Sequence, residues 1–449
     1  MKDHRRLGRE LGLFGTDPLI GAGLPYWLPA GAAVRQALEE YVSDIERRAG
    51  YQRVYSPVLG KRELYELSGH WEHYRDDMFP PMRLGGGPEG GPEGDPDGGP
   101  DGDPAGEEVV LRPSLCPHHA LIYRSRERSY RELPLRLAEL GGMYRAELSG
   151  VLGGLTRVRA IQLNDAHVFC TLEQVADEAL AALRLIREAY AAMGLDAARY
   201  RLSLPGPGAK YVRDPGLWQR AGALLEQALA AAGIAYDAEE GEAAFYGPKI
   251  DVQVLDAAGR EATLSTVQVD FHQPARFGLA YVGADGARHR PVMVHRSVVG
   301  SAERAVAQLI EVHQGAFPPW LAPVQAVVLP VGEAEAAPAE ALLRRCVEAG
   351  LRAELAGPER GTLGARVRAG RLAPYQVVIG PREAAGGAAA LRLRDGRRPA
   401  PLPAAEAVAR MAAAVAARAM ARPVPDSPVK VMRSTRGSVV SASPAAAGP

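Results

Sequence analysis

The stretch RVRAIQLNDAHVFC (157–170) places a histidine, His167, two residues after an acid, Asp165, and it decides the fold when set beside LRPSLCPHHA (111–120) and PVMVHRSVVGSAERA (291–305). From these three segments come one thiolate, Cys116, and two imidazoles, His167 and His295. Those ligand types suit Zn2+, and a set that stops at three leaves a coordination position open, the mark of a catalytic site. Ligands drawn from three distant segments are not assembled by spacing, so the flanking sequence has to decide.

Further blocks lie outward from these: DHRRLGRELGLF (3–14), ELSGHWEHYRDDMF (66–79), SYRELPLRLAELGGMYRAELSG (129–150), AAFYGPKID (243–251) and STVQVDF (265–271). In order, and across about residues 3–420 with one insertion, the chain resembles the catalytic core of threonyl-tRNA synthetases. These are class II enzymes that place threonine on zinc, join it to AMP and pass it to tRNA. The resemblance implies an α/β (α+β) architecture. A six- to seven-stranded antiparallel sheet flanked by helices is followed by a smaller α/β anticodon-binding domain. It also implies one Zn2+ per subunit on Cys116, His167 and His295, with ATP and its Mg2+ as substrate.

With 449 residues the chain exceeds the usual size of one domain. The polar start MKDHRRLGRE and the charge-broken Ala-rich stretches offer neither a signal peptide nor a membrane span, so a cytoplasmic enzyme is expected. Three cysteines, Cys116, Cys170 and Cys346, make no disulfide framework, and the last two read as small buried hydrophobes. The net charge of zero hides an asymmetry: residues 85–108 hold eight acids and no base, leaving 53 basic and 45 acidic residues elsewhere. Residues 323–422 carry fifteen arginines and nine acids, which suits an RNA backbone, or else reflects an Ala/Gly/Arg-rich composition.

Three units are expected. Residues 1–322 form the catalytic core and contain GGGPEGGPEGDPDGGPDGDPAGEE (85–108), a Gly/Pro/acid insertion unable to bury a core. From VQAVVLPVG (324–332), apolar strands alternate with amphipathic helical stretches through YQVVIG (375–380) and ALRLR (390–394), predicting a compact α/β module over 323–422. By resemblance this is the anticodon-binding domain. Residues 423–449 read as a disordered tail.

Activating a carboxylate with ATP builds negative charge on the α-phosphate as pyrophosphate leaves, so fixed cations are required there. The resemblance assigns Arg145 to the α-phosphate, Glu147 to the adenine amino group and Arg304 to the terminal phosphate, with Arg157 and Arg159 flanking and Gln268 beside ATP. It places Asp165, Tyr246 and Gln268 in the threonine pocket, Asp165 accepting the hydroxyl proton. It gives His70 a part in deprotonating the terminal ribose of tRNA-Thr, and Lys249 a phosphate or carboxylate contact. His73, His118 and His119 are read as structural. Valine lacks the hydroxyl that such a site must satisfy, whereas serine lacks only a methyl and is a predicted error.

Pro57 in YQRVYSP (51–57) stands where class II enzymes end the strand of a two-fold interface, so a homodimer is expected. Glu383 and Arg394 fall where the family reads anticodon bases, and Arg366 and Arg368 are placed for phosphates. The chain departs from the family pattern at Leu115 and His118, at Leu163 and Asn164 before Asp165, at Thr263 and Ser265, and at Leu355-Ala356-Gly357-Pro358. No counterpart of the family's ubiquitin-like and editing domains precedes residue 3, which implies that a separate protein edits mischarged serine in trans, that misacylation is tolerated, or that the product is not destined for translation. Two other classes stay open: an amino-acid-activating paralogue of a specialised pathway or an inhibitor-resistant duplicate, and a non-enzymatic RNA-binding regulator.

Overall fold

Alternation with period two builds the sheet that carries the site. In Ala160–Cys170, residues Ala166, Val168 and Cys170 face one way into the main apolar core, while Asp165 and His167 face the other. The same alternation puts Val292 and Val294 in that core and leaves His295 opposite, and it splits Val267 and Val269 from Gln268 and Asp270. The structure, a computed structural model, describes residues 2–84, 107–207 and 211–418.

The main sheet has eight strands, in the order Asp237–Glu240, Arg199–Leu204, Lys249–Leu255, Glu261–Asp270, Val292–Ser297, Ala160–Cys170, Leu135–Tyr144 and Gln52–Arg53. The six central strands are mutually antiparallel, and the two outermost pairings are parallel. Register runs one row straight across it: Ser203, Lys249, Gln268, His295, His167 and Leu137 are successive cross-strand partners. Slipping any strand by one residue would turn its polar set into the apolar core, so burial pins this row.

Helices Pro29–Arg48, Val175–Met193, Pro215–Ala231 and Ala302–His313 cover the apolar face. The last begins at a defined turn. Gly300 has φ of +65°, and a Cβ there would meet the Leu264 carbonyl oxygen at 2.3 Å, so no other residue fits. Ser301 then caps the helix, its Oγ accepting from the Arg304 N–H at 3.0 Å. This leaves Arg304 in the first turn, beside the polar face of the sheet.

A second, five-stranded sheet has the order Ala353–Leu355, Ala326–Pro330, Tyr375–Ile379, Ala388–Leu393 and Leu402–Pro403, with Leu342 of helix Ala336–Glu348 and Met411 of helix Ala404–Ala416 in one core with Val328 and Val377 of the strands. Cys346 and Cys170 are buried thiols within the two cores, as expected. Arginines tie the sheets together through backbone carbonyls: Arg352 donates to Trp320 and Ala322, and Arg394 to Phe317.

The expected insertion at 85–108 is shorter at its end. Glu107 and Glu108 start the strand Glu107–Leu111, and Glu108 is ion-paired with Arg62 and Arg83. Residues 85–106 and the expected tail at 423–449 lie outside the described residues. Among the described residues no helix is long and apolar enough to cross a membrane.

Candidate active site and metal centre

Three members of the cross-strand row, Lys249, Gln268 and His295, form the floor of a cleft of about 470 Å3 also lined by His70, Cys116, Arg145, Glu147, Asp165, Tyr246 and Arg304, together with Arg157 and Leu163. Ten of the eleven residues proposed for the metal and catalytic roles therefore line one cavity. His167, the eleventh, sits just behind that wall against His295.

Cys116 begins the helix Cys116–Arg124, and its sulfur, one nitrogen of His167 and one of His295 all lie within 4.8 Å of one another. His167 Nε2 is 3.1 Å from His295 Nδ1. Two nitrogens on a tetrahedral zinc with bonds of about 2.0–2.1 Å would be separated by roughly 3.3 Å, so the pair is already at coordination spacing. The sulfur accepts from Gln273 Nε2 at 3.3 Å and pairs with Ser114 Oγ at 3.2 Å. Burial pushes the thiol up to about 12, offset in part by those two hydrogen bonds. A buried thiol of this kind ionises when a cation takes it. The donor set, its spacing and its burial fit Zn2+.

Around this centre, Asp270 holds His295 Nε2 at 2.9 Å. Tyr246 stacks on His295 with ring centroids 4.9 Å apart, and its hydroxyl donates to Gln268 Oε1 at 2.6 Å. Asp165 lies 3.8 Å from His167, and burial raises its carboxyl above the ordinary value. Leu163 takes the cleft-facing place two residues earlier, while Asn164 points through the sheet to Glu46 at 2.7 Å. At this departure from the family pattern the side chain facing the cleft is apolar, and the Asn164 amide is turned away from it.

At the other end of the cleft the charge is positive. Burial and then repulsion from Arg145 and Arg157 lower the Arg304 guanidinium from its usual range. Arg304 is held in that position by the carbonyls of Thr156 and Thr263, at 3.3 and 2.8 Å. Cations held together at a cost become favourable once a polyanion arrives. Glu147 accepts from Arg157 at 2.8 Å. Arg159 does not line the cleft; its guanidinium donates to the Glu147 and Ala22 carbonyls and fixes the loop. Lys249 is pinned by Asp251 at 2.9 Å.

His70 lies between two hydroxyls, Ser68 Oγ and Ser114 Oγ, each at 2.8 Å, and 3.7 Å from Cys116 Sγ. Burial, then the positive charge of its neighbours, lowers it to about 3, so it is neutral at physiological pH. His119, read from sequence as structural, instead contacts the candidate ligand His167 at 2.8 Å. Asp270, Gln273, Ser114 and Glu139 were also missed; for Asp270 the signal was its place two residues after Gln268 on the polar face of the strand.

In the second unit Arg368 is exposed, as a phosphate contact would have to be, whereas Glu383 is partly buried and its carboxylate accepts from the Gly380 N–H at 3.1 Å. Arg366 is not: at 3 % exposure its guanidinium donates to the carbonyls of Pro330, Val331, Ala356 and Gly361, which corrects the expectation of a phosphate contact. Arg394 is half-buried and spent on the Phe317 and Leu372 carbonyls.

Residues 101–313 match the profile of the tRNA synthetase class II core domain (G, H, P, S and T), and residues 325–413 that of an anticodon binding domain. Fold and cleft together are those of a class II aminoacyl-tRNA synthetase core joined to its anticodon-binding domain. The chain is 47% identical over 388 residues to the threonine–tRNA ligase of Halalkalibacterium halodurans, covering 85% of this chain and 57% of that protein. It is 47% identical over 396 residues to threonine–tRNA ligase 1 of Bacillus subtilis, covering 87% and 58%. The crystal structure of the RNA binding domain of threonyl-tRNA synthetase from Cryptosporidium parvum superposes with a TM-score of 0.82 at 31% identity, over 94% of this chain and 100% of that one. The chain belongs to the threonyl-tRNA synthetase family. It spans a little over half the length of the curated relatives it matches.

Proposed function

We propose that this chain is a zinc-dependent threonine–tRNA ligase that forms threonyl-adenylate from threonine and ATP with Mg2+ and transfers threonine to tRNA-Thr. The observation that carries the reading is one cleft with the Cys116, His167 and His295 donor set at one end and the Arg145, Arg157 and Arg304 cluster at the other. When bound, zinc supplies a Lewis-acid face for the amino nitrogen and hydroxyl oxygen of threonine, which valine cannot satisfy.

The protein's own groups do the rest. Asp165 accepts the threonine hydroxyl proton, and Tyr246 with Gln268 closes the amino-acid pocket through their mutual hydrogen bond. Arg145 and Arg304 hold the ATP phosphates so that the threonine carboxylate meets the α-phosphate in line, and they take up the charge developing as pyrophosphate leaves. Glu147 orients the adenine. His70, neutral and hydrogen-bonded between two serines, assists transfer by accepting a hydrogen bond from the ribose hydroxyl. Lys249 adds positive charge near the reacting carboxylate.

In the same reading, residues 1–322 are the catalytic unit and 323–422 the anticodon-binding unit, and the protein is a cytoplasmic homodimer whose two-fold interface includes Pro57, which lies four residues beyond the end of the strand Gln52–Arg53. Aminoacylation of tRNA-Thr with labelled threonine, serine run in parallel, and pyrophosphate exchange on the same zinc-loaded enzyme test it. Charging with threonine is the expected result. Adenylate without charging would favour an activating paralogue, and neither activity would remove the ligase reading.

A further inference from the structure

Behind the metal centre, a buried chain of hydrogen bonds ends on His167. Arg112 Nη2 donates to Glu139 Oε1 at 2.9 Å, and Ser56 Oγ to Glu139 Oε2 at 2.6 Å. Glu139 Oε2 lies 3.2 Å from His119 Nε2, and His119 Nδ1 lies 2.8 Å from His167 Nδ1. Arg112, Glu139 and His119 are all buried, and none of them lines the cleft.

Counting protons along the chain assigns each ring. Glu139, paired with Arg112 and accepting from Ser56, is a carboxylate and only accepts, so the hydrogen sits on His119 Nε2. A neutral imidazole then offers Nδ1 as an acceptor, and the proton between the two rings belongs to His167 Nδ1. His167 Nε2 is left with its lone pair, facing Cys116 and His295. On the other side Asp270 accepts from His295 Nε2, which leaves the lone pair on Nδ1. Two lone pairs 3.1 Å apart have no proton between them and repel until a cation is shared.

We propose that Arg112, Glu139 and His119 are positioning residues that hold His167 in the Nδ1–H tautomer, so that Nε2 is always presented to the metal. The proposal rests on the zinc reading above. Filling this volume with apolar side chains would avoid the desolvation of a buried Arg–Glu pair, so packing alone gives no reason for the chain. Orientation of a metal-bound histidine by a hydrogen-bonded partner is worth about 10–100-fold in metal affinity.

The test compares zinc transfer from the holoenzyme to a chromophoric chelator for wild type, His119→Leu and His119→Asn. Leucine removes the acceptor for His167 Nδ1–H, whereas the Asn Oδ1 keeps it. His119→Leu is expected to bind zinc about 10–100-fold more weakly, with substantial rescue in His119→Asn and a larger change in KM for threonine than for ATP. Wild-type zinc affinity in His119→Leu would overturn the proposal. Should that variant fail to fold, histidine-15N-labelled wild-type holoenzyme decides. A through-hydrogen-bond coupling between the Nδ1 atoms of His167 and His119, with His119 protonated on Nε2, supports the relay; His119 protonated on Nδ1 refutes it. A wild-type protein that takes up no zinc would instead overturn the metal reading, and the relay proposal with it.

Discussion

His167 and His295 are direct cross-strand partners, and Nε2 of the first lies 3.1 Å from Nδ1 of the second. Their spacing is set by the sheet, so losing either ring cannot be compensated by a neighbour. His295→Ala or Cys116→Ala is expected to reduce bound zinc from about one per chain to near zero and to abolish threonine-dependent pyrophosphate exchange, while far-UV circular dichroism is unchanged. Elemental analysis beside the exchange assay checks this, and a variant retaining stoichiometric zinc would contradict the ligand set.

Arg145 lines the cleft, and its charge acts against Arg304 and His70. Removing one fixed cation facing a developing phosphate charge costs about 2.7–4 kcal/mol in the transition state. Arg145→Ala should therefore slow adenylate formation by about 100–1000-fold. It should leave thermal stability unchanged or slightly higher, because repulsion within the cluster is relieved. Single-turnover kinetics and calorimetry on the same preparation separate the two effects.

Leu163 lines the cleft with an apolar side chain, and a glutamine at that position would add an amide to the cleft wall. One added neutral hydrogen bond is worth about 0.5–1.5 kcal/mol net. Leu163→Gln is expected to improve kcat/KM for threonine by roughly 2–10-fold, with little change in KM for ATP. An unaltered or worse threonine KM would show that the pocket has adapted to leucine.

Arg366 and Arg368 stand two residues apart and should behave in opposite ways. Arg366→Ala leaves the carbonyls of Pro330, Val331, Ala356 and Gly361 without their buried donor, a loss of about 3 kcal/mol or more to the second unit. Exposed Arg368 should leave stability intact on substitution, and Arg368→Ala should weaken tRNA binding with a shallower salt dependence. Denaturation curves and filter binding at two salt concentrations distinguish them.

Stability should fall with acid in two windows. Burial, then the Arg112 charge, lowers His118 to about 4, so between pH 6.5 and about 4 the unfolded chain takes up a proton that the folded one refuses. Stability is lost as pH falls through that window, at about 1.4 kcal/mol per pH unit for this group. Glu139, which burial alone would raise, is brought down to about 2 by His119, Ser56 and Arg112. Its contribution is present above pH 4.5 and is lost between there and about 2. His70, lowered to about 3, refuses a proton over the same upper window, so His118→Gln is expected to make that window shallower without removing it and to leave the lower one unchanged, as read by urea midpoints from pH 7 to 3.

Local chemistry was legible in the linear sequence. The residue types at Cys116, His167 and His295, the arginines in MYRAE and GSAER, and the switch to alternating strands and helices after Leu321 all carry their meaning in composition, order and period. Fates that depend on what lies across space were not legible. Arg366 looks like a phosphate contact until four carbonyls surround it, His119 like a structural histidine until the sheet brings His167 to 2.8 Å, and Glu107 and Glu108 like part of an acidic loop until Leu59–Lys61 and Met82–Leu84 pair with their strand. The sequence by itself determined which side chains can bind metal and phosphate and which face of each strand they share, because alternation is a local property of the backbone. Register and partners were decided only by the folded chain, because hydrogen bonds and burial depend on residues brought together from separations that local pattern does not report, 48 positions for His119 and His167 and 128 for His167 and His295.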